Sequence, residues 1–327
     1  MAYLGNTVGP QYTRTIGENT TYTVASSGGD FTTVGAAYDS LDDAFIEAGV
    51  TVTISVGAGT FVESTINLDH PQGQRINITG AGSGSTTLSF SADGNDGFYC
   101  ENNRSGTIDA LTILSTSTTK YGVWANTNGA ILLGTDVIVD GWRTGIYARD
   151  HSFVEATSVT VDDATTYSVH STTGSTIRFL SGSITQTSVN GSQGIRCEGS
   201  SIVFAGSCSI QGASRTGQGV FVVNAGFVDV SSADIDNGTN CLFVNGLDTC
   251  INASSANLNG ASSHNVSVGH GIVFLYDATN TNSGGYGVSC SNNGKVYVAA
   301  DTTSGHSSGD YSLTLNTAAS DGALIYT

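Results

Sequence analysis

The chain carries little charge and almost no lysine. Charged residues make up 11% of its 327 residues, and the only lysines are Lys120 and Lys295. The surface of a helix-rich protein is normally rich in Lys and Glu, because both residues favour helix. Ser, Thr, Asn and Gly occupy the polar positions instead, as they do in strands and turns. The composition therefore argues against a helix-rich fold.

The charge that is present is mainly negative, with a net value of −17. Nucleic acids and anionic membranes are bound through clusters of Lys and Arg, so we expect no nucleic-acid partner. No segment reaches the roughly 18 apolar residues of a membrane span, so we expect no membrane insertion. The start, Met1 to Asn6, shows no basic segment followed by an apolar run. This predicts synthesis in a cytoplasm without use of the usual secretory route.

Cysteine is also scarce, with six residues in the whole chain. This number is too small for a disulfide scaffold of this length, and no C-x-x-C or Cys/His metal spacing is present. The sequence therefore predicts neither a metal site nor a cofactor.

An internal repeat dominates the chain from residue 97 onward. Its first aliphatic position recurs at intervals of 22 to 26 residues, and a second apolar series follows in parallel. The first series is Phe98, Val123, Ile146, Val169, Ile195, Val220, Leu242, Val266, Val288 and Leu313, and the second is Val139, Val161, Ile184, Ile210, Ile235 and Leu258.

A period near 24 residues is compatible with two solenoid folds. Leucine-rich repeats require an L-x-x-L-x-L pattern, which is absent. Three short strands separated by Gly, Asn and Ser turns form one coil of a parallel β-helix, with coils stacked about 4.8 Å apart. We therefore predict an all-β solenoid of about ten to twelve coils, with residues 97–327 forming the regular repeats.

The segment before the repeats has a different pattern. Residues 36–49 predict an amphipathic helix, with Leu41, Phe45 and Ala48 on one face and Gly49 at its end. A solenoid needs its open end covered, so we interpret this helix as a cap. Val52 to Val56 and Ile76 to Ile78 then supply the first strands. Residues 22–96 form the capping helix and first coils, and residues 1–21 a polar N-terminal arm.

The run from Tyr22 to Gly82 contains YTVASSGGDFTTVGAAYDSLDDAF and the strand VGAGTF. It resembles the N-terminal part of pectate-lyase-like right-handed parallel β-helices, including phage tailspike and tail fibre proteins. The start, Tyr3 to Asn6, is similar to openings of phage tail proteins. The resemblance implies a right-handed β-helix and a homotrimer that binds host cell-surface polysaccharide, with or without cleavage. It also implies a virion location, assembly in the host cytoplasm and attachment of the N-terminal arm to a tail or baseplate protein.

Side chains alternate between the two faces of a strand, so the residue after each core aliphatic should point outward. We predict a carbohydrate-binding groove along this column, with Arg149, Glu101 and Glu198 beside it. The alternative is a subunit interface, above all at Phe221 and Phe243. The column comprises Tyr99, Trp124, Tyr147, His170, Arg196, Phe221, Phe243, Ser267, Ser289 and Thr314.

The second strand gives an ambiguous pattern. If Glu155 and Asp229 point outward, Ile131, Phe153, Ile202 and Phe227 do so as well, which would form an apolar outer stripe suited to a trimer axis. Arg178 does not fit any single assignment.

Three fragments resemble catalytic motifs: Gly269-His270-Gly271, Asp162-Asp163 and Arg149-Asp150-His151. The repeat assigns all three to turns, which favours a role in chain reversal. Glu101, Glu198 and Asp150 remain the candidate catalytic carboxylates. Glu101 and Glu198 lie four coils apart, about 19 Å at the strand spacing. Paired carboxylates of glycosidases lie roughly 5–10 Å apart.

These features leave three hypotheses for function. We favour a virion appendage that binds polysaccharide without being an enzyme. The second hypothesis is a depolymerase tailspike, either a glycoside hydrolase or a polysaccharide lyase. The third is a purely structural decoration or connector protein of the virion.

Overall fold

The computed structural model describes residues 12–90, 94–115, 119–186, 192–212, 217–236, 238–314 and 324–326. These residues form a parallel β-solenoid of about ten turns. Each coil contributes up to three strands, and each strand pairs in parallel with its equivalents in the neighbouring coils. The prediction of an all-β solenoid is confirmed.

The first strands of the coils form the sheet that carries the predicted groove. From Asn240 onward the first and second strands are continuous in three coils, which joins the first and second sheets. First strands are β6 (Ile66–Asn67), β9 (Phe98–Glu101), β12 (Tyr121–Asn126), β15 (Thr144–Ala148), β18 (Tyr167–Ser171), β21 (Gln193–Cys197), β24 (Val220–Val222) and β33 (Gly309–Thr314); the continuous strands are β27 (Asn240–Asn252), β29 (His264–Tyr276) and β31 (Tyr286–Ala299).

The second and third strands complete the coils. Second strands are β2 (Thr20–Val24), β4 (Val52–Val56), β7 (Ile76–Thr79), β10 (Arg104–Asp109), β13 (Ala130–Leu133), β16 (Phe153–Ala156), β19 (Thr176–Arg178), β22 (Ile202–Phe204), β25 (Phe227–Asp229) and β34 (Leu324–Tyr326). Third strands are β5 (Gly59–Glu63), β8 (Thr86–Phe90), β11 (Leu111–Ser115), β14 (Val137–Asp140), β17 (Thr160–Asp162), β20 (Ser183–Thr185), β23 (Ser209–Gln211), β26 (Asp234–Asp236), β28 (Asn257–Asn259), β30 (Thr279–Thr281) and β32 (Thr302–Ser304).

The core lies inside the coils, where the two aliphatic series stack. Phe98 through Val288 pair position by position as predicted, and all nine are fully buried. The third-strand series from Val139 to Leu258 is also in register and buried. The prediction that Leu313 is the last member of the first series is wrong, because Val288 pairs with Tyr311 and Leu313 pairs with Cys290. A shift of two residues preserves the direction of side chains, so alternation alone cannot detect it.

The predicted helix of the cap is shorter than expected. Helix α1 covers Val34–Asp39, and Thr33 caps it by accepting a hydrogen bond from the backbone N–H of Ala36. The chain then turns into strand β3 (Ala44–Ile46), which pairs with β1 (Arg14–Ile16). The assignment of residues 36–49 to one helix is therefore wrong. The tertiary pairing with β1 overrides the helical pattern, and Phe45 is 40% exposed.

The N-terminal arm contributes to the fold in the part that the structure describes. Residues 1–11 lie outside the described residues. Ile16 of β1 is buried in the core. Strand β2 pairs with β4, so the first strand of the second sheet is β2, before the predicted Val52 to Val56.

Turns between first and second strands use left-handed backbone conformations. Asp150 and His151 both have positive φ angles (56° and 63°), as do Thr127 and Asn128 in the preceding coil. Asp163 also has a positive φ of 44°. These values agree with the interpretation of both acidic fragments as turn residues. Among the described residues, no helix is long and apolar enough to cross a membrane.

Candidate functional site

Five outward side chains of the first sheet form one continuous column, which we call the ladder: Tyr99, Trp124, Tyr147, His170 and Arg196. Their backbones pair in register from coil to coil, as predicted. The ring centroids of Tyr99 and Trp124 are 4.8 Å apart, and those of Tyr147 and His170 are 4.9 Å apart. The sequence therefore brings these side chains together through strand alternation alone.

The ladder continues into an apolar extension of two phenylalanines. The guanidinium of Arg196 lies 5.0 Å from the ring centroid of Phe221, which stacks on Phe243 at 5.1 Å. Ser267 and Ser289 follow in register. Thr314 is out of step, since Ser312 pairs with Ser289. The aromatic surface ends at Phe243 in this column.

Two further aromatic residues, Tyr121 and Tyr167, flank the ladder and were missed by the sequence pattern. Tyr121 stacks on Tyr147 at 4.8 Å, and Tyr167 contacts His170 at 4.6 Å. Strict alternation would place Tyr121 on the inner face, together with Val123. However, Gly122 and Val123 are both buried, so the alternation is interrupted at this point.

The same interruption occurs at Ser168 and Val169 beside Tyr167. A methyl group on Gly122 would lie 2.5 Å from a side-chain carbon of Val139, so Gly122 cannot take a side chain unless its neighbours shift. The equivalent position beside Tyr167 holds the small residue Ser168. The triplets Tyr-Gly-Val and Tyr-Ser-Val are the sequence signal for this kink. A small residue between an aromatic and an aliphatic residue could have identified both tyrosines.

The centre of the ladder is closely packed. Tyr147 and His170 are each only 8% exposed, whereas Tyr99, Trp124 and Arg196 are half-buried. Burial raises the pKa of Tyr147 to about 12 and also raises that of Tyr99. Both phenols therefore stay protonated at neutral pH and can donate hydrogen bonds.

Glu198 lies beside the ladder and binds two of its members. The Nε2–H of His170 donates to Oε1 of Glu198 at 3.0 Å, and Nη2 of Arg196 donates to Oε2 at 2.8 Å. These hydrogen bonds, that of His170 first, lower the pKa of Glu198 to about 2. Burial lowers the pKa of His170. At neutral pH the site therefore contains a carboxylate, a guanidinium and a neutral imidazole, and Glu198 holds no proton to transfer as an acid.

The other predicted polar residues lie along the same edge of the sheet. Glu101 is exposed and accepts a hydrogen bond from Nδ2 of Asn126 at 3.0 Å. Arg149 pairs with Asp150 at 3.0 Å in the turn. Three coils separate Glu101 from Glu198, and Asn126, Arg149 and Thr172 occupy the equivalent position in those coils. The structure does not bring these two carboxylates together.

Several polar atoms on this face are buried without a hydrogen-bond partner among the described residues. They include Nε1 of Trp124, Nε of Arg196 and Oγ1 of Thr144. Most buried polar groups in proteins are paired, so orphan groups in one place indicate a site that water or a ligand completes.

The Gly269-His270-Gly271 fragment lies where β29 passes directly from the first sheet into the second. His270 pairs with Asn245 and Asn293, as the repeat predicts, but the register shifts beside both pairs and Gly271 has a positive φ of 110°. This segment is therefore an irregular corner within one continuous strand. A cleft of about 390 Å³ opens at this point, lined by residues that include Leu247, His270 and Lys295. Asp162-Asp163 lies in a different sheet, several coils away.

The outer face of the second sheet carries the predicted apolar stripe in part. Phe153, Ile202 and Phe227 are half-buried and point outward. The prediction that Ile131 points outward is wrong, since its side chain is fully buried and it pairs with Val154. Ala130 takes the outward position opposite Phe153, one residue away from the predicted register.

Arg178 also points outward on the second sheet, where it pairs with Glu155 at 3.0 Å. The prediction that Arg178 fits no single assignment is wrong, because Arg178 pairs in register with Glu155 and Phe204 in the outward column. Phe204 and Tyr276 are the most exposed aromatic residues of this face in the described chain, at 36% and 41%.

Comparison with known proteins identifies the class of fold. No protein-family model and no curated protein sequence matches the chain. Among solved structures, pectate lyase Pel9A matches with a TM-score of 0.53 and 13% identity over 91% of this chain and 79% of that chain. The A-module of the mannuronan C-5 epimerase AlgE4 of Azotobacter vinelandii matches with a TM-score of 0.52 and 13% identity, over 86% of this chain and 90% of that one. The fold is that of pectate-lyase-like right-handed β-helices.

Proposed function

We propose that this chain is a polysaccharide-binding appendage of a phage virion and that the ladder is its binding surface. The observation that carries the proposal is the column of four aromatic or imidazole rings and one guanidinium in register on one face of a rigid sheet. Aromatic rings stack on the C–H faces of sugars, and their polar edges bind hydroxyl groups. Five coils at about 4.8 Å extend the ladder over roughly 19 Å, which suits an extended polymer.

The virion location rests on the resemblance of residues 22–82 to the N-terminal segments of phage tailspikes and tail fibres. In this proposal residues 1–21 attach the protein to a tail or baseplate protein, and assembly takes place in the host cytoplasm. The host's envelope polysaccharide is the partner of the ladder.

Trp124→Ala should weaken binding to host-cell polysaccharide by about 1–3 kcal/mol, the effect of removing one aromatic anchor from the centre of a binding surface. Binding of the purified protein to host cells or to their envelope polysaccharide would measure this loss. Phe45→Ala is the matched control, because it removes an exposed aromatic ring from β3, away from both the ladder and the second sheet.

The oligomeric state of Trp124→Ala distinguishes a groove from an interface. In our proposal the variant stays in the same assembly as the parent. If it binds polysaccharide normally but dissociates into single chains, the ladder is a subunit interface and the groove does not exist.

We expect the protein to form a homotrimer through the apolar stripe of the second sheet. Phe204, Phe227 and their neighbours would otherwise expose a patch that monomeric proteins rarely carry. Light scattering at micromolar concentration should give three times the chain mass of 33.4 kDa, and Phe204→Asp should lower it. A mass of 33.4 kDa for the parent would contradict the trimer.

Depolymerase activity is the second candidate, since the names of the two structures similar in fold, a pectate lyase and a mannuronan epimerase, are those of enzymes that act on polysaccharides. The separation of Glu101 from Glu198 and the low pKa of Glu198 favour binding without cleavage within one chain. Incubation with purified envelope polysaccharide, followed by sizing of the products, separates the two. Shorter products support a depolymerase, and absence of any binding supports a purely structural protein.

A further inference from the structure

Arg143 lies in the turn that leads into β15, at the edge of the ladder, and sequence alternation did not select it. Its Nη1 donates a hydrogen bond to the hydroxyl oxygen of Tyr121 at 3.3 Å, and its guanidinium carbon lies 5.8 Å from the centre of the Tyr121 ring. Tyr121 in turn stacks on Tyr147. A half-buried guanidinium is thus fixed above the aromatic surface near its centre.

Neighbouring cations are neutralised, but Arg143 is not. Arg149 pairs with Asp150 at 3.0 Å, Arg196 with Glu198 at 2.8 Å, and Lys120 approaches Asp96 at 4.0 Å. Within the part of the chain that the structure describes, Arg143 makes no ion pair; its one side-chain hydrogen bond there is to a neutral phenol. Its positive charge therefore remains available to a ligand.

The charge of this face differs from that of the whole chain. Four basic residues (Lys120, Arg143, Arg149, Arg196) and four acidic residues (Asp96, Glu101, Asp150, Glu198) lie in or beside the ladder, which gives 4 − 4 = 0, whereas the chain carries −17. Three of the four carboxylates already form ion pairs with these cations. An anion is therefore repelled less here than elsewhere on the protein.

The orphan groups of the ladder add two donors. Nε1 of Trp124 and Nε of Arg196 are buried without a partner among the described residues, and both can only donate hydrogen bonds. Neither atom is exposed, so an acceptor oxygen of a ligand reaches them only if the surrounding side chains move aside. Arginine is also the side chain best suited to a planar oxyanion, because it donates two parallel hydrogen bonds.

We infer that the ladder recognises an acidic polysaccharide and that Arg143 binds the anionic group of one sugar, while the ring of that sugar lies on the neighbouring aromatic side chains. This inference rests on the proposed function of the ladder. It makes Arg143 the residue that selects acidic over neutral polymers.

The test uses an immobilised panel of oligosaccharides in matched pairs. Each acidic member, bearing uronate, sialate, sulfate or phosphate, is paired with its carboxyl-reduced or unsubstituted neutral counterpart. The full-length protein, Arg143→Gln, Arg143→Lys and the control Arg14→Gln are compared. Arg14→Gln removes the same charge from an exposed position in β1, away from both the ladder and the second sheet.

We expect the parent to retain acidic members and to lose them as salt is raised. Arg143→Gln should weaken their retention at least tenfold while leaving any retention of the neutral counterparts unchanged. Arg143→Lys should recover part of it, and Arg14→Gln should bind as the parent does. The type of anion retained identifies its source.

Two results would overturn the inference. Equal retention of acidic and neutral counterparts, or an unchanged Arg143→Gln, would leave polysaccharide binding standing and remove the role of Arg143. Retention of no member by the parent would overturn the proposed function together with this inference.

Discussion

Val169→Asp should prevent stable folding of the central coils. Val169 is fully buried and pairs with Ile146 below and Ile195 above, so its side chain is surrounded by stacked aliphatic groups. An unpaired carboxylate there costs several kcal/mol, whether it is desolvated as an anion or protonated. This is a large fraction of the 5–15 kcal/mol that typically stabilises a folded domain. Urea unfolding followed by far-ultraviolet circular dichroism would measure the loss.

Ser267→Asp is the matched control for this substitution. Ser267 occupies the outward position of a first strand and is half-buried between Phe243 and Ser289. The same carboxylate can remain hydrated there, and its cost should stay below about 1 kcal/mol. If Val169→Asp unfolds at the same urea concentration as the parent, Val169 does not lie in the core and the register is wrong.

The sequence could predict the solenoid and its register because both follow from repetition. Each coil must bury one aliphatic residue at the equivalent position of its first strand. A shift of one residue in the register would turn that side chain to the opposite face of the sheet. Val123, Ile146 and Val169 therefore mark the coils without knowledge of the turns between them. The rule fails at Leu313, which pairs with Cys290, because alternation alone cannot detect a shift of two residues.

The features that the sequence did not predict depend on contacts between distant segments. The 36–49 region has a helical pattern, but the pairing of β1 with β3 favours a strand after Asp39. Tyr121 points outward because Gly122 allows a kink in the strand. The outward direction predicted for Ile131 is wrong, because alternation shows which residues of a strand share a face but not which face points outward. One residue of known orientation is needed to decide between the two faces.

The candidate site was predictable as a column but not as a hydrogen-bonded network. Alternation placed Tyr99 to Arg196 on one face. It could not show that His170, from the preceding coil, and Arg196 converge on Glu198, since that depends on side-chain conformations across coils. The role of Arg143 was also hidden, because turn residues follow no alternation.

Glu198 makes the stability of the site dependent on pH. The pKa of its carboxyl group is about 2 in the folded chain, against roughly 4.3 when unfolded. A carboxyl group with a lowered folded pKa stabilises the fold above its unfolded pKa, and this contribution disappears as the pH falls through the folded value. A difference of that size corresponds to about 3 kcal/mol at neutral pH.

Glu198→Gln should therefore lower the free energy of unfolding by about 2–3 kcal/mol at pH 7. The amide cannot bind Arg196 as a carboxylate does, and the guanidinium is left partly buried without its counter-charge. The difference between parent and variant should be fully present above about pH 4.5, shrink as the pH falls, and close near pH 2. Denaturant unfolding at several pH values would measure it.

Glu101→Gln provides the comparison, because Glu101 is exposed and its side-chain hydrogen bonds, with the amide of Asn126 and the phenol of Tyr99, are to uncharged groups. That substitution should change stability at pH 7 by no more than about 0.5 kcal/mol. A constant difference between the parent and Glu198→Gln from pH 7 to pH 2 would show that the carboxylate charge does not stabilise the site. The pKa of Glu198 would then lie near its unfolded value, and the part of the argument against a general acid that rests on a pKa near 2 would no longer stand.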